Sequence, residues 1–200
     1  MGVLERVHGS YVYPRRVRVL SEHLAAVVPE GARVLDVGAG DGLVAASLLP
    51  LRPDLTVEGI DVLVRPRSHI EVRPFDGDTI PYEDGSFDVA LLVDVVHHAD
   101  HPLELLSEAR RVARSCLVIK DQTLEGFLAD RTLRFMDRVG NARHGVALPH
   151  TYWSKARWLE VVAQLHLRVG AWRSRLGLYP FPASLVFDRS LQFVARLDRD

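Results

Sequence analysis

A single cysteine in 200 residues rules out an internal disulfide, and with it a small fold held together by cross-links. That residue, Cys116, lies in the apolar run Cys116–Ile119, which points to a buried, inert thiol. An excess of one charge sign is also missing. With 25 Lys and Arg against 26 Asp and Glu, all interspersed, the formal net charge is −1. No broad field is available to recruit nucleic acid or an anionic membrane surface. No apolar run approaches the roughly 20 residues that cross a bilayer, and the opening residues lack the apolar core of a signal peptide. The expectation is a cytoplasmic protein without stable membrane insertion. Internal repeats and low-complexity linkers are absent as well, so one domain over residues 1–200 is expected.

What is present is an alternation of strand-like and helix-like segments, the pattern of an α/β sheet with helices on both faces. Residues 15–28 carry apolar positions near helical spacing and stop at Pro29 and Gly31. Residues 33–37 read as a first strand, 41–49 as the returning helix, 56–60 and 70–75 as strands two and three. Residues 87–96 form an unbroken apolar strand of the kind buried on both sides. A helix from Pro102 to about Ala113 leads to strand five at 116–120. Residues 122–153 then interrupt the rhythm and read as an insertion over the sheet's carboxyl edge, where open α/β sheets bind ligands. A helix at 154–165 and alternating strands at 168–176 and 191–197 close the chain.

The informative stretch is "VLDVGAGDG", Val34 to Gly42. Gly38, Gly40 and Gly42 let the chain turn sharply from strand to helix and let a ligand touch backbone. A dinucleotide fingerprint needs G-x-G-x-x-G, and here its last position is Leu43. Asp36, just before the glycines, would repel a diphosphate. It can instead order the turn and help hold an ammonium group, directly or through water. A ligand with a cationic amine and no phosphates fits, which points to S-adenosyl-L-methionine. Asp61 ends strand two about 20 residues on, where an acid accepts ribose hydroxyls. Asp76 and Gly77, after strand three, suit the adenine edge, although Asp-Gly pairs also make ligand-free turns.

As an ordered set, "VLDVGAGDG", "GID", "FDGDTIPYEDGSFD" and "LLVDVVHHADHP" resemble the class I S-adenosylmethionine-dependent methyltransferases. The set is most similar to the branch that includes the ubiquinone and menaquinone biosynthesis C-methyltransferases. The resemblance covers about residues 30 to 120. It implies a Rossmann-like, doubly wound, seven-stranded and mostly parallel sheet whose last strand is antiparallel. It also implies cofactor across the carboxyl ends of strands one to four. By position, Asp36, Gly38, Ala39 and Gly40 would flank the methionine part, and Asp61 and Val62 would take the ribose and one adenine face. Asp76 and Gly77 would read the adenine edge, and Asp94 would meet the methionine end. The branch commonly has Gly at Phe75 and Ala at Gly77, which leaves Asp78 a rival to Asp76.

Methyl transfer from a sulfonium needs mainly alignment and exclusion of water, so catalytic residues mark the sequence faintly. His97, His98 and Asp121 are the candidates to accept a proton; either histidine serves equally well as a helix cap or loop bond. Asn141, Arg143, His144 and Tyr152 in the insertion are candidate contacts to a small-molecule acceptor. His144 and His150 lack a completing acid or Cys, so no metal is expected. The cluster "RRVRV" reads as a solvated helix face, with Tyr11, Tyr13 and Arg15 as candidates to close over the cofactor. The leading expectation is therefore a methyltransferase acting on an unidentified small molecule. Its rivals are a catalytically silent S-adenosylmethionine-binding partner protein and a nicotinamide-dependent oxidoreductase. The oligomeric state is not legible.

Overall fold

The structure, a computed structural model, describes residues 13–141 and 151–199, with backbone alone for 140 and 141. In chain order the elements are α1 (Tyr13–Ala25), β1 (Arg33–Val37), α2 (Leu43–Leu48), β2 (Thr56–Asp61), β3 (Val72–Pro74) and β4 (Phe87–Val93). A single 3-10 turn (Val96–His98), α3 (Pro102–Val112), β5 (Ala113–Gln122) and α4 (Ala129–Asn141) come next. The chain closes with α5 (Lys155–Gln164), β6 (Leu167–Arg173), α6 (Ser184–Phe187) and β7 (Gln192–Arg199). The strands form one seven-stranded sheet in the order β3-β2-β1-β4-β5-β7-β6. Pairings from β3 to β5 are parallel, and β7 runs antiparallel to both β5 and β6. No helix among the described residues is long and apolar enough to cross a membrane.

The unbroken apolar strands feed two layers, because successive side chains leave a strand on opposite faces. Leu35, Val37, Ala90, Leu92, Leu117 and Ile119 pack against Leu105, Leu106 and Ala109 of α3 and Trp158 of α5. Val34, Val89, Leu91, Cys116 and Val118 pack on the other side against Leu20 and Leu24 of α1. Cys116 is fully buried, and that burial pushes its thiol up to about 11, so it is an inert core group.

Several boundary differences have identifiable causes. Helix α2 starts at Leu43, not residue 41, because Gly42 is left-handed (φ +74°) and serves as its cap. Strand β3 is shorter than expected because Ile70 packs against the Gly42 backbone instead of joining the sheet. Strand β4 stops at Val93 because Asp94 turns the chain with φ +56°. Strand β5 runs from Ala113 to Gln122, longer than the apolar run, because it is paired on both sides by β4 and β7. Strand β6 ends at Arg173, and Leu176 and Leu178 pack into the α1 layer instead.

Order reverses between β1 and β4: β2 and β3 lie on one side of β1, while β4 and everything after it lie on the other. A crevice opens at the carboxyl ends of such a pair.

Candidate functional site

A cavity of about 1020 Å³ occupies that crevice. Its walls come from α1, the β1–α2 loop, the ends of β2 and β4, the 75–78 turn, and Met136 and Asp137 of α4. The loop geometry requires its glycines. At Gly38 (φ +74°) a Cβ would stand 2.5 Å from Val95 Cγ2, whereas at Gly40 (φ +62°) it would meet nothing within 4 Å. The backbone amides of this loop are already engaged. Gly38 and Ala39 donate to Ile60 O at 2.8 and 3.0 Å, and Gly40 donates to Asp61 Oδ2 at 2.7 Å. Gly42 donates to Ala39 O and Leu43 to Asp41 Oδ1. A diphosphate is held at a helix start by amides of this kind. Here those of Gly38, Ala39 and Gly40 are spent on the end of β2, and those of Gly42 and Leu43 within the loop itself.

Asp61 accepts from Gly40 and, through Oδ1, from Leu63 at 2.7 Å. Both it and the exposed Val62 line the cavity. Gly77 packs directly beside Val62, since a Cβ there would come to 3.1 Å of Val62 Cγ1, and the two form one continuous stretch of wall. Asp76 and Asp78 also face the cavity. Asp76 Oδ1 accepts from Asp78 and Thr79, and these backbone bonds hold its carboxyl below the usual range.

Asp36 lies two residues before Gly38, within β1. It is 2% exposed, registered between Gly59 and Leu91, and is not a wall of the cavity. Burial, and then Asp61, pushes its pKa up to about 7, so its charge is weak near neutrality.

At the far end Asp94 is bonded to the fully buried Lys120, and Arg16 Nη2 approaches it at 3.7 Å. Burial opposes its charge most strongly, but Lys120, Arg16 and His97 together hold its pKa down to about 2. Arg16 lies over the Tyr179 ring, 5.3 Å from its centroid, and both residues line the cavity. The solvated-face reading of "RRVRV" therefore fails at Arg16. Arg15 is not at the cavity and bonds Gly177 O, while Tyr13 is a wall residue as expected. The signal for Arg16 was its position beside Val17 and Leu20, which line the same cavity.

His97 and His98 follow in the 3-10 turn, with ring centroids 4.0 Å apart. His97 is 2% exposed, and its Nδ1 lies 2.6 Å from Asp121 Oδ1. Burial alone would depress its pKa, but Asp121, Asp94 and Asp137 outweigh that and raise it. His98 is lowered by burial and by His97. Asp121 lies near the end of β5. It is fully buried, is not a wall of the cavity, and accepts from the amides of Val96 and Gln122, so it reaches the cavity only through His97. Tyr152 is likewise not a wall of the cavity. Its hydroxyl donates to Asp137 Oδ2, and it packs beside Leu133. Asp137 and Gln122, which do line the cavity, had no motif to announce them. The Asn141 side chain and Arg143, His144, His150 and Tyr11 lie outside the described residues.

The comparisons agree with this architecture. The family described as a methyltransferase domain matches residues 10–165. The 27-O-demethylrifamycin SV methyltransferase of Amycolatopsis mediterranei is 28% identical over 110 residues, 48% of this chain. The chain spans about 40% of the length of that relative. One solved chain, from the Haloferax volcanii complex between the Trm112 methyltransferase activator and a methyltransferase, superposes with a TM-score of 0.68 at 16% identity. It covers 100% of this chain and 98% of its own. An S-adenosylmethionine-dependent methyltransferase from Aquifex aeolicus gives 0.63 at 21% identity, covering 92% of each chain. With the family match spanning most of its length, the chain belongs to the methyltransferase-domain family.

Proposed function

We propose that the protein is an S-adenosylmethionine-dependent methyltransferase acting on a small-molecule acceptor by in-line displacement. The observation that carries this reading is the glycine loop. Its amides are closed onto Ile60 O and Asp61, so they offer no cradle to a diphosphate, while bare Gly38 and Gly40 still face the cavity. This argues against a nicotinamide cofactor and suits a ligand without phosphates.

When bound, S-adenosylmethionine supplies a methyl group already activated by its positive sulfur. The residues divide the binding among themselves. Gly38, Ala39 and Gly40 border the methionine part. Arg16 and Asp94, adjacent and opposite in charge, suit the carboxylate and ammonium of an amino acid. Each Asp61 oxygen accepts one amide, which leaves lone pairs for ribose hydroxyls. The wall made by Val62 and Gly77 offers a face to a flat base, with Asp76 at its edge and Asp78 beside it. His97 and His98 form the polar wall offered to the acceptor, and Asp121 positions His97. Met136, Leu105 and Tyr179 are the apolar walls that keep water away.

Isothermal titration tests the reading. Adenosylhomocysteine is expected to bind, and Asp61→Ala to weaken it at least tenfold, about 1.4 kcal/mol. Equal affinity in that variant overturns the ribose assignment, and tight NADH binding overturns the whole reading.

A further inference from the structure

Helix α4 and the segment that runs from Tyr179 into α6 each put residues on the cavity wall, Met136 and Tyr179 among them. Both also carry an outer face that cofactor binding does not use. Phe127 and Leu128 lead into α4, and Phe181, Leu185 and Val186 lie before or within α6. All five are exposed, Phe127 and Phe181 at 80%, and none lines the cavity. Phe135 of α4 is exposed too, and it stacks on Phe187 of α6 with ring centroids 6.2 Å apart, which joins the two groups into one surface. Single bare apolar residues are ordinary on a protein, but an adjoining set of them marks a place of contact.

Arginines are interleaved with these apolar groups. Ala129, Leu133 and Asp137 form the buried stripe of α4, while Arg131, Phe135 and Arg138, at i, i+4 and i+7, share the exposed one. The exposed charged groups of α4 and of residues 181–189 are Arg131, Arg134, Arg138 and Arg189 against one acid, Asp130. Asp130 itself pairs with Arg134 at 2.9 Å. The near balance of charge over the whole chain therefore hides a local positive excess. Charge also separates the two simplest occupants of such a face. A symmetric dimer would set Arg131 and Arg138 against their own copies, which is repulsive. An anionic lipid surface takes the phenylalanines into the headgroup boundary and offers phosphate to the arginines.

We propose that the exposed face of α4, with Phe127, Leu128 and residues 181–187, docks the protein on the surface of an anionic bilayer. The docking is peripheral, since no helix among the described residues is long and apolar enough to cross. Phe127 and Phe181 enter the boundary between headgroups and acyl chains. The stems of Arg131 and Arg138 lie along that boundary, with their guanidinium groups on lipid phosphates. Because α4 also supplies Met136 and Asp137 to the cavity, a docked bilayer lies against the outer side of a cavity wall. The inference is independent of which cofactor the cavity holds.

The test is cosedimentation of the full chain with vesicles of phosphatidylglycerol and phosphatidylcholine in equal parts. Saturable binding is expected, lost on vesicles of phosphatidylcholine alone and in about 0.5 M salt. Phe127→Ser combined with Phe181→Ser should weaken it at least tenfold, by removing the apolar contact. Arg131→Glu combined with Arg138→Glu should do the same through charge. Arg114→Glu with Arg168→Glu, exposed arginines at the starts of β5 and β6, should leave binding unchanged. Melting curves and adenosylhomocysteine titrations of the same variants report folding and the cofactor site separately, and both should match wild type for the phenylalanine pair. A wild type that ignores anionic vesicles overturns the proposal, as do folded variants that bind them like wild type. A chain that instead self-associates through Phe127 and Phe181 in ultracentrifugation, without binding vesicles, assigns the face to a second copy and overturns it as well.

Discussion

Asp36 is 2% exposed beside Asp61, and its carboxyl is pushed up to about 7. An unfolded aspartate titrates near about 3.9. Between those values the folded chain holds a proton the unfolded chain has lost, so this group's contribution to stability falls as pH rises from about 4 to about 7. Asn has no such proton. The expected outcome for Asp36→Asn is a stability gain over wild type that grows by about 1.4 kcal/mol per pH unit across that window and then levels off. Denaturant melts at several pH values measure it, and a gain that does not vary with pH would mean Asp36 is ionised in the fold.

The loop between β1 and α2 separates backbone strain from steric contact. A Cβ at Gly38 meets Val95 as well as a positive φ, while one at Gly40 meets only the positive φ. Left-handed backbone costs an ordinary residue roughly 1–2 kcal/mol. Gly40→Ala is expected to lose about that much, and Gly38→Ala distinctly more. Adding Val95→Ala to Gly38→Ala should recover only the excess. Equal melting temperatures for the two single variants would refute the contact. Helix α5 offers a control away from the cavity. Ser154 caps it by accepting from the Arg157 amide at 3.2 Å. Ser154→Ala should cost about 1 kcal/mol and leave adenosylhomocysteine affinity unchanged, as read by a melt and a titration.

For the molecule as a whole, a ligand seated where β1 and β4 diverge stabilises every element that walls the cavity, from α1 to α4. Adenosylhomocysteine at about 100 times its Kd adds about 2.7 kcal/mol to the folded state. For a chain of this size that corresponds to a rise of roughly 5–10 °C in Tm. NADH at the same concentration should leave Tm where it was, and a matching rise with NADH would contradict the closed amides of the loop.

The apolar runs determined most of the fold by themselves. Strand β1 matches its expected bounds, and β2 and α3 end within one residue of theirs, because burial on both faces leaves a continuous signal. The glycine spacing and Asp61 were legible for a similar reason: a tight turn and a strand-end acid are local chemistry. Arg16, Asp137 and Gln122 come from segments far apart in the chain and meet only where the sheet's order reverses. Their meeting is a property of tertiary packing that no local spacing encodes. Asp36 shows the same division. The sequence placed an acid before the glycines, but only the packing of β1 between β2 and β4 decided that it is buried, weakly charged and out of the cavity.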